Sequence, residues 1–304
     1  MKGVLNKMGT WINSHNLPDR ILRVIQGKYK EHKPELNRLS ITDLIDNPLP
    51  RILYINHWDD IVRDYSDMIT MVQGIALHSR YEMCATDDED AERKFEDVIV
   101  VPKERVAVGQ PDGIIVVGKA DSYFDGTILE VKQTGVYGPK YRLDKWTKQM
   151  NSYAFQRRMR GEEVNELLVD VWYRDWKQGN VYWRDYPPIP YECISLDLWD
   201  FETQDKYIRS QVQKHLSHPV FDKPEQYERP CSDEQRGIRW EAYKGKNKTP
   251  TKVGSTYEEV NNYCIEWNKG SKKESFDIRK SEPIFCVRYC KARSICPFVK
   301  GGIK

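Results

Sequence analysis

The chain has 304 residues, 31% of them charged, and a net charge of +2, so it is long enough for one large or two smaller cores but carries no global basic field to draw nucleic acid. No apolar run approaches the roughly 20 residues of a membrane helix, and the opening MKGVLNKMGTWINSHNLPDR lacks the apolar stretch of a secretion signal; both predict a soluble, cytoplasmic protein with no membrane partner. In that reducing compartment the seven cysteines are not expected to form a disulfide framework, and the nine Trp and 18 Tyr default to core packing, with base stacking as the other use.

Residues 1–57 read as a helical extension, in which LPDRILRVI is the clear amphipathic piece and Ser40, followed by Asp43, has the look of a helix N-cap. From Trp58 to Met83, Ile61, Tyr65, Met68, Ile69, Val72, Ile75 and Ala76 recur at helical spacing, which predicts a helix bearing His78 and, one turn on, Glu82. Cys84 is expected in the core, and TDDEDAER is an acidic loop or helix start. Strand-like runs follow at 98–101, 105–108, 113–117 and 127–132, the last introduced by the turn pair Asp125-Gly126. A helix over 145–159 ends in Arg157, Arg158 and Arg160, which suit either DNA phosphates or a solvated helix end. Further strands are expected at 166–173, 181–183 and 192–196, then a long amphipathic helix from Trp199 to His215, completing an α/β core over 58–218.

After His218 the composition turns polar, with Pro219, Pro224 and Pro230 marking a change to a small module over 219–304. There a hairpin is predicted across Lys244-Gly245-Lys246-Asn247-Lys248, whose three lysines are either a phosphate clamp or a soluble turn. Cys264 lies in a predicted helix over 256–267 and is read as buried, and Cys193 as a strand residue.

Chemistry concentrates in GQPDGIIVV and GTILEVKQTG. Strand alternation points Glu130 and Lys132 the same way, and Asp112 heads the preceding apolar run. Two carboxylates on one sheet are hard oxygen ligands for Mg2+ or Mn2+, and a nearby lysine can hold a phosphate or a water, a set suited to metal-assisted phosphodiester hydrolysis. At the other end of the chain, Cys286, Cys290 and Cys296 crowd into FCVRYCKARSICPF, a density best explained by metal ligation. A cluster or a structural zinc each wants four thiolates, and Cys231 opens the segment that the other three close. Cys264 is the runner-up.

The order Gly74-x-x-x-His78, Pro111-Asp112, Glu130-x-Lys132, Gln149-x-x-x-Tyr153 resembles the RecB-like branch of the PD-(D/E)xK nucleases, which includes CRISPR-associated and phage members. The resemblance implies a mixed central sheet flanked by helices, with His78, Asp112, Glu130 and the carbonyl of Val131 on the metal, Lys132 orienting the water, and Gln149 and Tyr153 positioning the strand or Lys132. It also implies a structural [4Fe-4S] cluster on the cysteine tail, with zinc as the alternative. Family members place one cluster cysteine far upstream; here no cysteine precedes Cys84. The activity so implied is that of a DNA exonuclease acting on ends or single strands in recombination, repair or phage replication, in a bacterial or phage-infected cell. Two rivals are a non-catalytic nucleic-acid-binding module and a CRISPR-adaptation-like nuclease that trims only inside a complex.

Overall fold

Strand alternation and turn chemistry account for most of the region around Glu130. The computed structural model describes residues 10–26, 33–228, 230–270 and 274–300. It divides into two units, Met1–Pro48 with Val62–Val220, and Leu49–Ile61 with Phe221–Lys304. The architecture is mixed α/β, with several small sheets flanked by helices. None of the described helices is long and apolar enough to cross a membrane.

The chain opens with strand β1 (Thr10–Ile12) and helix α1 (Asp19–Gln26), then strand β2 (Arg38–Ser40) and the one-turn helix α2 (Ile41–Leu44). Ser40 caps α2 as its sequence suggests, accepting from the Asp43 N–H at 3.1 Å. Helix α3 (Pro48–Asn56) lies almost wholly in the second unit. Strand β3 (Val62–Asp64) pairs in parallel with β1. The long helix expected from Trp58 therefore starts only at Ile69, as α4 (Ile69–Cys84). Its would-be first turns are diverted because the Asp64 carboxylate accepts from the N–H groups of Ser14 (3.3 Å) and Ser66 (2.9 Å), favouring a strand and a short turn over helix.

Strand β4 (Lys94–Val100) pairs antiparallel with β5 (Gly113–Lys119), which carries β2 in parallel on its other edge. Strands β6 (Ser122–Phe124) and β7 (Thr127–Thr134) form a hairpin across Asp125-Gly126, whose φ values of 45° and 76° are the left-handed pair such a two-residue turn needs. Helix α5 (Gly138–Arg158) crosses over to β8 (Glu166–Tyr173), parallel to β7, and β9 (Tyr191–Ser195) closes that sheet antiparallel. Helix α6 (Phe201–Leu216) packs against α5. The core gathers Ile114, Val116, Ile128, Val169 and Val171 from the strands with Met150, Phe155, Ile208 and Val212 from the helices. At Gly118 a Cβ would lie 1.8 Å from Gln156 Oε1, so the missing side chain is what lets α5 seat Gln156 against Asp97 (2.7 Å) and the Val116 carbonyl (3.1 Å).

Two expected strands are turns. Residues 105–108 follow a 3-10 turn, and Ala107 donates to the Leu216 carbonyl rather than to a ladder. Residues 181–183 follow another 3-10 turn at Gln178–Asn180. Cys84, expected in the core, is exposed at the end of α4.

In the second unit, α7 (Asp233–Arg236) leads into β10 (Trp240–Lys244), β11 (Lys252–Gly254), α8 (Tyr257–Lys269) and β12 (Phe276–Lys280), then α9 (Ile284–Arg288) and α10 (Pro297–Lys300). The sheet runs β11-β10-β12, with Val260 and Cys264 of α8 buried on Ala242. Residues 49–61 add buried Leu49, Ile52, Leu53, Ile55 and Trp58. This grouping differs from the expected boundaries at 57 and 218: residues 1–48 group with the α/β unit and 49–61 with the C-terminal part.

Candidate functional site

Helix α4 and strand β7 bring His78 and Glu130 to the same edge of the first unit, with Asp121 between them on the link from β5 to β6. His78 Nδ1 lies 2.8 Å from Asp121 Oδ1, and Asp121 Oδ2 accepts from the Val131 N–H at 2.7 Å. Glu130 is only 5% exposed. Its Oε1 accepts from Lys132 Nζ (2.6 Å) and Gln149 Nε2 (2.9 Å), and Gln149 also donates to the Tyr153 hydroxyl at 2.9 Å. Glu130 Oε2 is buried and has no hydrogen-bond partner among the described residues. A buried carboxylate oxygen left bare is costly and asks for a cation or a water.

The electrostatics agree with a poised anionic site. Burial pushes the Glu130 carboxyl up, Lys132 opposes that shift, and the neighbouring Asp121 reinforces it. The hydrogen bond His78 makes to the Asp121 carboxylate raises its pKa against its partial burial. Burial carries Tyr153 well above its ordinary value, so its hydroxyl stays neutral as it accepts from Gln149.

Asp112 does not belong to this group. It is 72% exposed and pairs with Lys103 at 3.4 Å. It sits before the first residue of β5, whereas Asp121 follows the last, so a seven-residue strand of about 20 Å lies between them. The register Gly113↔Val100 to Lys119↔Lys94 carries β5 away from the turn at Asp112 and delivers its far end to the β6–β7 hairpin. Asp121 thus takes the place expected for Asp112.

Sequence reasoning also missed Glu92. It stands in the acidic run before β4 with a left-handed φ of 54°, its N–H donates to the Asp121 carbonyl at 3.1 Å, and its carboxylate pairs with Lys119. Ligand atoms of His78, Glu92 and Asp121 all lie within 4.8 Å of one another. Its only sequence signal was membership of an acidic stretch, which is common on solvated surfaces. Two carboxylates and an imidazole make a donor set that fits a hard divalent cation such as Mg2+ or Mn2+, while Glu130, whose Oε2 is unpartnered, lies outside that close group of three. Beside it a cavity of about 310 Å³ is lined by Thr70, Gly74, His78, Lys132, Gln133 and Arg174, among others.

The arginines expected to meet DNA are structural. Arg157 is 1% exposed, ion-paired with Asp90 (3.1 Å) and Glu162 (2.6 Å) and stacked 3.8 Å from the Tyr123 ring centroid. Arg158 donates to the carbonyls of Trp199 (2.8 Å) and Val164 (2.9 Å) and to Gln204 Oε1 (3.2 Å). Helix α5 is buried on all sides at its C-terminal end, so its cations point inward to partners rather than outward to phosphate.

In the second unit the four expected thiols are near enough to influence one another's ionisation, but among the described residues no three of them have sulfurs within 4.8 Å of one another. Ser232 caps α7 with Gln235 in a reciprocal capping box, which fixes Cys231 just ahead of it, and α7 packs on α9, which bears Cys286. The Cys231 thiol is pushed up to about 12 by burial and, next, by Cys290, Cys286 and Cys296 acting on it together. Burial likewise pushes Cys290 up to about 11. Cys264 stays apart, buried in α8. On the β10–β11 turn, Lys246 and Lys248 are exposed, while Lys244 pairs with Glu274 (3.1 Å) and lies 5.1 Å from the Trp267 ring centroid. A cavity of about 380 Å³ elsewhere in this unit is lined by Tyr257, Cys264, Ile265 and Phe276 and by none of Cys231, Cys286, Cys290 and Cys296.

No family model matches the chain, and no curated protein matches it. Among solved structures, that of SSO0001 is similar to 66% of this chain and 86% of its own, with 16% identity and a TM-score of 0.41.

Proposed function

We propose that the chain is a divalent-metal-dependent deoxyribonuclease with a RecB-like PD-(D/E)xK core, acting on DNA ends or single strands. One observation carries the reading: Glu130 is held by Lys132 and Gln149 through Oε1 while its buried Oε2 is left without a partner, next to His78 and Asp121. His78, Asp121 and Glu130 would hold the ion, with Glu92 a further donor and the Val131 carbonyl close by. When bound, the ion supplies Lewis-acid charge at the phosphoryl oxygens and a water of lowered pKa. Lys132 orients the attacking water and neutralises charge growing on the phosphate. Gln149 fixes the Glu130 rotamer, and the neutral Tyr153 hydroxyl keeps Gln149 turned toward it.

The reading extends to the second unit, where Cys231, Cys286, Cys290 and Cys296 would ligate a structural [4Fe-4S] cluster, with zinc as the alternative. The exposed Lys246 and Lys248 fit a phosphate contact there. The test is digestion of labelled single-stranded and duplex DNA with Mn2+ by the wild-type chain and by Asp121→Asn. Cleavage by the first and not the second is the expected result, and equal rates refute it. For the thiols, anaerobically purified protein should be brown, with absorbance near about 400 nm; a colourless protein with stoichiometric zinc selects the alternative.

A further inference from the structure

The loop from β8 to β9 displays features that neither the metal centre nor the core uses. It begins at Arg174, which lines the cavity beside His78 and Lys132. The Arg174 N–H donates to the Thr134 carbonyl at 2.9 Å, tying the loop's start to the end of β7. Its guanidinium is exposed and has no carboxylate partner among the described residues. Farther on, Trp176 Nε1 donates to the Pro187 carbonyl at 2.9 Å, and the Lys177 N–H donates to the Tyr186 hydroxyl at 2.7 Å. These two cross-links close a neck, so the tip beyond it is a held turn. On that tip Tyr182 is 92% exposed and Trp183 58% exposed.

Trp183 meets the Tyr186 ring edge-on at 6.1 Å, which orients it on the turn, yet both it and Tyr182 leave most of their rings in solvent, and such display marks an interaction surface. Exposed Lys177 stands at the neck, Arg184 follows the rings and pairs with Asp185 at 3.8 Å, and the Arg174 guanidinium sits at the loop's root in the cavity beside His78 and Lys132. Exposed rings and cations on one loop, whose root at Arg174 lines a cavity of about 310 Å³, match single-stranded nucleic acid, whose bases are free to stack. Duplex bases are already stacked on each other and have no use for the rings.

We propose that the β8–β9 loop is a single-strand-holding arm, with Arg174 taking a backbone phosphate next to the metal centre and Tyr182 and Trp183 stacking bases of the same strand. The direction of the strand into the cavity rests on the nuclease reading; the binding itself does not. The experiment uses the full chain in EDTA, with fluorescein-labelled oligothymidylate and a blunt duplex of equal length as probes in fluorescence anisotropy. Replacing both rings (Tyr182→Ala with Trp183→Ala) should leave the melting temperature unchanged and weaken oligothymidylate binding at least about tenfold, with duplex binding altered less than about twofold. Arg174→Ala should lower the slope of log affinity against log salt by about one. With Mn2+ present, the ring variant should raise KM on the oligonucleotide and keep kcat. Unchanged oligothymidylate affinity in the ring variant, an equal loss on duplex, or no binding by the wild type overturns the arm. Ring-dependent binding without Mn2+-dependent cleavage keeps the arm and sinks the nuclease; cleavage at wild-type KM by the ring variant does the reverse.

Discussion

The first unit's carboxylate-histidine site and the second unit's thiol group set opposite problems. Around Glu130 the fold gathers hard oxygen donors on a rigid sheet edge and neutralises most of them in advance, through Lys132, Lys119, His78 and the Val131 N–H. Removing any cation from such a site leaves a framework that is already hydrogen-bonded. Around Cys231 the fold gathers soft donors on short helices and turns, and the buried thiols resist ionisation. Four close thiolates without a cation would repel one another, so under the proposed reading a cation would complete the structure there. The contrast teaches that ligand chemistry alone does not separate a working metal from a structural one; the density of independent support around the ligands does.

The sharpest way to break the comparison lies at the two aspartates. Lys132→Ala and Asp121→Asn should each lower the rate of Mn2+-dependent cleavage by about a thousandfold in a gel assay, with circular dichroism unchanged, whereas Asp112→Asn should stay within about twofold of wild type. A crippled Asp112→Asn with an active Asp121→Asn would reverse the assignment. Next in size, Cys231→Ser should abolish the bound metal or cluster and lower the melting temperature. His78→Ala should leave metal content at the thiols intact, as elemental analysis would record.

Arg157→Ala should destabilise the protein by about 3 kcal/mol in urea titration, because it strands Asp90 and Glu162 and empties a buried site. A direct role in DNA binding predicts instead a stable protein with weakened affinity. The smallest effect is at Glu130. Its folded carboxyl titrates above the unfolded one, so this contribution to stability is fully present below the ordinary carboxylate range and is lost as pH rises through the folded value. In EDTA, Glu130→Gln should therefore melt above wild type at neutral pH, with the gap closing toward acid, and it should lose the stabilisation that Mn2+ gives the parent. A gap independent of pH would count against burial as the cause.

How much of this was legible in the sequence depends on the distance over which each signal acts. Alternation fixed the shared face of Glu130 and Lys132, and the Asp125-Gly126 pair announced its turn, because both are local. Gln149 and Tyr153 carried the right helical spacing, although nothing in the chain foretold that their helix face would be buried. Asp121 was passed over because a proline-aspartate pair at the start of β5 looked like the better candidate; which end of a strand meets the hairpin is a property of pairing register. Glu92 required knowing that a turn before β4 folds back on the 121–123 link. The migration of residues 49–61 into the second unit was equally silent, since an apolar segment does not say which core it will join.

The hairpin at Asp125-Gly126 also sets a rule for how this centre can vary. Ser122 faces Leu129 across a two-residue turn, so Asp121 stands one step beyond, level with Glu130. A single inserted residue would turn every side chain on one arm to the opposite surface, and the aspartate would leave His78 and the Val131 N–H. The separation between these two acids in the chain is thus under tighter control than the identity of most residues that fill it, and length variation among descendants of this sequence should fall anywhere but there.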